Sequence, residues 1–345
     1  MKNTIGIVIG TGKSSISVCK DNKIDIIPNN EGYIMTPSVI SYIQDDDVVV
    51  GSQAKRQLLI RPDTTYSLLD YYIHNGLNIK EILIQKLIED AKSYLDKDID
   101  EIVLSVPCLD SIDEYKQLEE RLCIKIRKII NHLDALALTY QKEHNDELVM
   151  IVQIDEAFTH IGIYDVEKDS IERLANTISD LKGYDFTQCI ADYLSQSFYN
   201  EHKIDLSSDS IAIKRIIEES KKTKKELSVT QSSRVLIPYI HVNKFGPINL
   251  DYTITRTQFN NQSKEYIDKL ENLLYTTLNK ARLLPGEIDK ILLVGGSSRI
   301  PVIQDKVKEI LGQSPSYVFN NIESIAIGCA MMIGEHIDIK NSELD

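Results

Sequence analysis

One local pattern occurs twice in this chain, about half a chain apart, and that repetition limits what the chain can fold into more than any other feature. Ile5 to Ile9 is an apolar run, Gly10-Thr11-Gly12 is a turn, Ser15 to Cys19 resumes as a strand, and Lys23 to Ile27 supplies a third. Further on, Leu148 to Ile154 is apolar, Asp155 to Phe158 turns, Thr159 to Val166 returns, and Ser170 to Asn176 completes a second meander. Short apolar runs bounded by turn residues read as strands. Two such meanders predict an internally duplicated fold.

Helical signals fill the intervals. Ile79, Ile82, Leu83, Leu87, Ala91, Tyr94 and Leu95 recur at spacings of three and four, which predicts an amphipathic helix. A strand from Glu101 to Ser105 stops before Pro107, and a helix is predicted from Asp113 to Leu122. In the second half the pattern predicts helices over Asp185 to Asn200, Asp209 to Leu227 and Gln258 to Leu284, with strands between Arg234 and Thr255. The alternation points to an α/β architecture, and 345 residues suffice for two core-bearing lobes.

Charge and composition exclude several function classes. A net charge of −13 argues against direct nucleic-acid binding, which needs a concentrated basic face. The basic run Lys221 to Lys225 reads as a solvated helix face. Five scattered cysteines form no CxxC or Cys/His cluster, so neither a disulfide framework nor a zinc site is expected, and a reducing, cytoplasmic compartment fits. No apolar run approaches the roughly 18 residues of a membrane span, and the N-terminal run lacks a signal-peptide cleavage site. The histidines, including His74 and His336, show no metal-ligand spacing, and Asp45-Asp46-Asp47 reads as a solvated turn. Only 15 of 345 residues are glycine, fewer than the usual share of about 7%, and glycine-rich loops are what a nucleotide clasp needs.

The sharpest unit is the strand Lys290 to Val294, the turn Gly295-Gly296-Ser297-Ser298-Arg299 and the helix Ile300 to Leu311. Paired glycines let a planar ring or a phosphate approach the backbone, serines cap the helix, and its first amides face an anion. Pro301 suits the first helical turn.

The run GGSSRIP after ILLV resembles the adenosine motif of the heat-shock protein 70 family, LVGGSTRIP. Other pieces resemble that family in the same order. Gly6 to Gly12 is similar to its first phosphate loop, and Pro28 to Tyr42 to its NDQGNRTTPSYVAF stretch. Gly51 to Pro62, Ser105-Val106-Pro107, Arg127 to Asn131, Leu181 to Phe186 and Asn320 to Ala330 complete the series. The resemblance implies a two-lobed actin-like ATPase fold of duplicated ribonuclease-H-like domains, without a peptide-binding domain. Lobe I would comprise residues 1–146 plus 320–345, with its outer subdomain reduced near 74–80, and lobe II residues 147–319. ATP or ADP would lie in the cleft between them.

Carried over residue by residue, the resemblance also implies a degraded catalytic centre. The acid of the first loop is Val8, the family's catalytic lysine aligns with Asp70, and the glutamate of its INEP segment aligns with His132. The second phosphate loop, DLGGGTFD in the family, reads Asp155-Glu156-Ala157-Phe158-Thr159-His160-Ile161-Gly162, leaving Asp155 as the one remnant of a Mg²⁺ site. Nucleotide contacts carried over are Gly10, Thr11, Gly12, Asp155, Gly295, Gly296, Ser297 and Arg299. Lys224 and Lys225 replace the pair that packs on adenine, and Ile322 replaces an aspartate. Phosphoryl transfer depends on positive charge at the developing anion, so efficient hydrolysis is not expected. The resemblance then implies a chaperone-system protein acting by stable protein binding, closest in character to the family's atypical Ssz-type member of the ribosome-associated complex, with a J-domain partner and the ribosome as expected contacts. A true ATP-hydrolysing chaperone with unorthodox cleft residues stays open as the second reading, and with it the question of whether the chain is an enzyme.

Overall fold

Each meander becomes part of a six-stranded mixed sheet. In the first, Thr4–Ile9 pairs antiparallel with Lys13–Lys20, which pairs antiparallel with Lys23–Ile27 and with the short strand Thr36–Pro37. On its other side Thr4–Ile9 runs parallel to Glu101–Val106, and that strand parallel to Lys125–Asn131. The second sheet repeats the order. Glu147–Ile154 pairs antiparallel with Thr159–Val166, and this with Ile171–Ser179. Opposite, Glu147–Ile154 runs parallel to Lys290–Val294, which runs parallel to Ser316–Tyr317. The short strand Ile339–Asn341 adds parallel to the outer edge of Ile171–Ser179. The computed structural model describes residues 3–21, 23–44, 47–58, 60–69, 78–107, 112–317, 321–334 and 339–341.

The central parallel strands are covered on both faces, as parallel pairing with helical crossovers requires. Every residue of Thr4–Ile9 and of Glu101–Val106 is buried. On one side, Leu83 and Leu87 of the helix Ile79–Leu95 pack with Ile5, Ile7 and Leu104. On the other, the helices His132–Gln141 and Asn321–Gly334 share a cluster that joins Val8 and Val103 of the first sheet to Ile151 and Val294 of the second. One apolar core thus spans both sheets. A third cluster lies under the helices Gly183–His202, Ser210–Leu227 and Lys264–Ala281.

Two accessory sheets sit outside this frame. Val39–Gln44, Asp47–Val50 and Thr65–Ser67 form one, with Asp47–Val50 at an edge. Ser232–Asn243 and Gly246–Thr255 form a hairpin whose pairing is interrupted between Ile237 and His241, where Pro238 cannot donate to the ladder and Tyr239 adopts φ 52°.

The structure differs from the sequence expectation at two helices. The stretch expected as one helix from Gln258 to Leu284 is two, Arg256–Gln262 and Lys264–Ala281. At the buried Ser263 between them the amide and the hydroxyl both donate to the Phe259 carbonyl, at 3.0 and 2.9 Å, and the backbone leaves the helical region at φ −89°, ψ 6°. The helix His132–Gln141 carries no clear amphipathic period, because Leu133 to Leu138 are all buried and it packs on several faces at once. Its start is nevertheless written locally, since Asn131 caps it by accepting from the Asp134 amide at 2.8 Å.

The helices His132–Gln141 and Asn321–Gly334 touch through bare backbone. A Cβ on Gly328 would overlap the carbonyl oxygen of Ala135. Gly328→Val is therefore expected to cost about 3 kcal/mol or more. Gly286→Ala, where a Cβ meets nothing within 4 Å, is expected to stay within about 0.5 kcal/mol of the wild type. Urea denaturation midpoints of the two variants test the difference.

Candidate functional site

The two meander turns and the Gly295-Gly296 turn lie at the C-terminal ends of the central strands, where open α/β sheets place their ligands. The first turn is held from outside. The Ser38 hydroxyl donates to the Gly10 carbonyl at 2.6 Å and lies 2.9 Å from the Ser14 hydroxyl. The Ser38 amide donates to the Gly12 carbonyl at 3.2 Å. Thr11 is buried, Gly12 is exposed, and a Cβ on Gly12 would meet open space, so this turn keeps room for an anion beside its backbone.

The second turn has no such room. Ala157 and Phe158 are buried and form an apolar cluster with Leu69, which follows the accessory strand Thr65–Ser67, and with Tyr184. The backbone amides nearby are already engaged. Gly183 and Tyr184, at the start of the helix Gly183–His202, donate to the carbonyls of Asp155 and Glu156 at 2.6 and 3.2 Å. The Asp155 amide donates to the Phe158 carbonyl at 3.1 Å. A helix N-terminus attracts anions through free amides, and here the turn's own carbonyls take them.

Beneath the turns, side chains from both sheets meet. Gln153 donates to Asp155 Oδ2 at 2.7 Å, and the same nitrogen lies 3.2 Å from His132 Nδ1. With Nδ1 accepting, His132 carries its proton on Nε2. Burial and the neighbouring His160 push its pKa down to about 3, although the carbonyls of Ile9 and Ser105 favour the charged ring in part. His160 reaches from the second sheet to the Pro107 carbonyl at 3.3 Å and to the Asn176 side chain. Burial lowers its pKa to about 4. Burial also raises Asp155 to about 6, against the lowering effect of the Gln153 hydrogen bond. Val8, with no exposed surface, is part of the core shared by the sheets.

Gly295 takes φ 93° and leaves no space for a side chain against the Ile154 carbonyl. Gly296 is exposed, with open space where its Cβ would stand, and Arg299 is exposed beside it. Ser298 closes the turn by donating to the Gly295 carbonyl at 2.7 Å. Lys224 points inward. Its ammonium pairs with Glu156 Oε1 and donates to the Gly183 carbonyl, both at 2.8 Å, and lies 3.5 Å from the Ser297 hydroxyl. Burial pulls its pKa down, with Glu156 opposing. Lys225 is exposed on the same helix. The structure thus brings Asp155, Lys224, Gly295 and Ser297 together at the strand ends of the second sheet, with Gly296 beside them, and places Gly10, Thr11 and Gly12 at the end of Thr4–Ile9 in the first. The Glu156–Lys224 pair escapes sequence reading because the partners lie 68 positions apart. Asp70, His74 and His336 lie outside the described residues.

These residues fit a nucleotide unevenly. Gly12 and Gly296 leave open space beside their backbone, while Phe158 is packed into an apolar cluster. Among the described residues no three His, Cys, Asp or Glu side chains converge on a point that could hold a metal ion. No described helix is long and apolar enough to cross a membrane. The family model described as Hsp70 protein matches residues 4–73 and 73–337.

The buried ionisable groups set a pH dependence whose sign can be worked out. Below their ordinary value of 6.5 the two histidines are charged in the unfolded chain but neutral in the folded one down to about 4 for His160 and about 3 for His132, so acid removes stability. Asp155 acts oppositely, because its folded carboxyl takes a proton near 6 and its unfolded one only near 3.8. The balance is about one proton, or about 1.4 kcal/mol lost per pH unit near pH 5. In the double variant His132→Gln/His160→Gln the contribution of this cluster reverses sign. Urea midpoints measured at about pH 7 and about pH 5 are expected to fall less with acid in that variant than in the wild type.

Proposed function

The chain belongs to the Hsp70 family and has its actin-like ATPase fold, and from that premise we propose that it serves its chaperone system by binding another protein rather than by turning over ATP. Family membership carries the chaperone-system role and a nucleotide-binding fold. The inactive centre is our reading, and one observation carries it: Phe158 and Ala157 pack with Leu69 and Tyr184 where the second phosphate loop would hold the γ-phosphate. An apolar wall gives a developing anion no donors, and donors aimed at that charge are the largest part of phosphoryl-transfer catalysis. The Lys224–Glu156 pair supports the same reading, because the cation on the adenosine side is spent within the protein.

In this reading lobe I comprises residues 1–146 and 320–345, and lobe II residues 147–319. Adenosine or ADP enters against Gly296 and Arg299, and among the described residues Asp155 is the carried-over acid left to hold Mg²⁺. With no held γ-phosphate to favour one lobe arrangement, exchanging ADP for ATP has no means of shifting one arrangement to the other. A body of fixed shape suits a lasting interface, and a J-domain protein at the ribosome in the cytoplasm is the partner we propose. The competing reading, a working ATPase, draws on the first turn, where Gly12 keeps its open approach.

Steady-state ATP hydrolysis, with and without a J-domain protein, is expected to stay at background. Turnover at the level of an intact family member, lost in Asp155→Ala, would overturn the proposal in favour of the ATPase. Calorimetry is expected to find ADP and ATP binding within about tenfold of each other, because the γ-phosphate adds no contact.

A further inference from the structure

The last turns of the helix Ser210–Leu227 carry lysines on the face that meets the Gly296 turn. Lys221, Lys224 and Lys225 stand at i, i+3 and i+4, so they share that face. Lys224 fixes where it looks. Its ammonium donates to the Gly183 carbonyl at 2.8 Å and lies 3.5 Å from the Ser297 hydroxyl. Lys221 and Lys225 stand close enough for their charges to help hold the Lys224 pKa down. Arg299 adds an exposed cation from the turn itself.

The carboxylates that contact this face are already committed. Glu156 gives Oε1 to Lys224, and its Oε2 is shut off from solvent. Glu218 pairs with Lys221 at 2.8 Å, and both side chains are partly exposed, so the pair is weak and exchangeable. Lys225 and Arg299 have no side-chain partner among the described residues. A ribose with a free diol has hydroxyl protons to donate, and this face offers it no uncommitted acid. A phosphate on the ribose only accepts, and it meets Lys225, Arg299 and a Lys221 that Glu218 can release. The same choice separates dinucleotide sites, where an acid takes the 2′-hydroxyl and a basic group accommodates a 2′-phosphate.

We infer that the adenosine side of the site takes an adenine nucleotide with a further phosphate on its ribose, at the 2′ or 3′ position, in preference to one with a free diol. The inference rests on the nucleotide reading proposed above. Charge-assisted contacts from exposed cations are expected to give the extra phosphate about tenfold in affinity, an advantage that shrinks as salt is added.

The test is titration calorimetry on the full chain at low salt with AMP, adenosine 2′,5′-bisphosphate and adenosine 3′,5′-bisphosphate. One bisphosphate is expected to bind about tenfold more tightly than AMP. Lys225→Gln is expected to cut that advantage by about threefold or more. Lys222→Gln removes the same charge from an exposed lysine that pairs with Glu219 on the same helix, and is expected to keep the advantage. Circular dichroism unchanged in both variants separates a lost contact from a lost fold. Bisphosphates that bind no more tightly than AMP overturn the inference and leave the nucleotide reading standing. An advantage that Lys222→Gln erodes as much as Lys225→Gln also overturns it, because diffuse charge would then be the cause. Absence of binding by all three ligands overturns the nucleotide reading, and this inference with it.

Discussion

Two sheets that must share one core need their covering helices at close range, and a single point sets that range. Gly328 lies against the carbonyl of Ala135 with no room for a side chain. From that contact Ile325, Ala326 and Cys329 on one helix and Leu133 to Leu138 on the other reach apolar residues of both sheets. Strand order within each sheet follows from local pairing, but the placement of one sheet beside the other rests on this crossing. The strand-end turns belong to the sheets that this crossing helps to hold together, so the candidate site draws part of its support from a glycine outside it.

Around the second turn the packing is apolar. A phosphate held by backbone amides binds with an energy that salt screens and that depends on what is bound. Burying a phenylalanine is worth about 1.5–3 kcal/mol whether or not a ligand is present. Phe158 against Leu69 and Tyr184 is therefore a constant term, and the polar layer below it, His160 to Pro107 and Gln153 to His132, joins the two sheets in the same unconditional way. The neutral histidines show how dry that layer is.

Much of this is legible in the sequence, for identifiable reasons. The meanders announce themselves because Ile5–Ile9 and Leu148–Ile154 are apolar runs ended by turns, and GGSSRIP marks the third turn. The helix at His132 is not legible by period, since a helix buried on several faces has no polar stripe to time it. The break at Ser263 is a single backbone step to φ −89°, ψ 6°, which no spacing of apolar residues announces. The role of Lys224 depends on Glu156, brought to it by the helix Ser210–Leu227 packing beside the helix Gly183–His202. Long-range ion pairs leave no spacing to read. The reversal at Phe158 lies between these cases: the residue is visible in sequence as a departure from glycine, while its partner Leu69 appears only in three dimensions.

The irregularity of the long hairpin has a bearing on solubility. Ser232–Asn243 and Gly246–Thr255 make a ribbon of only two strands, and Leu236, Tyr239, Val242 and Phe245 are exposed along it. A straight apolar ribbon of that kind would be a template on which a second molecule could continue the sheet, strand upon strand, toward an aggregate. Pro238 withholds an amide, and Tyr239 turns the backbone out of line, so an incoming strand would lose its register within a few residues. The kink acts as a guard on a sticky edge, and straightening it, rather than unfolding the protein, would be the shortest route to fibres.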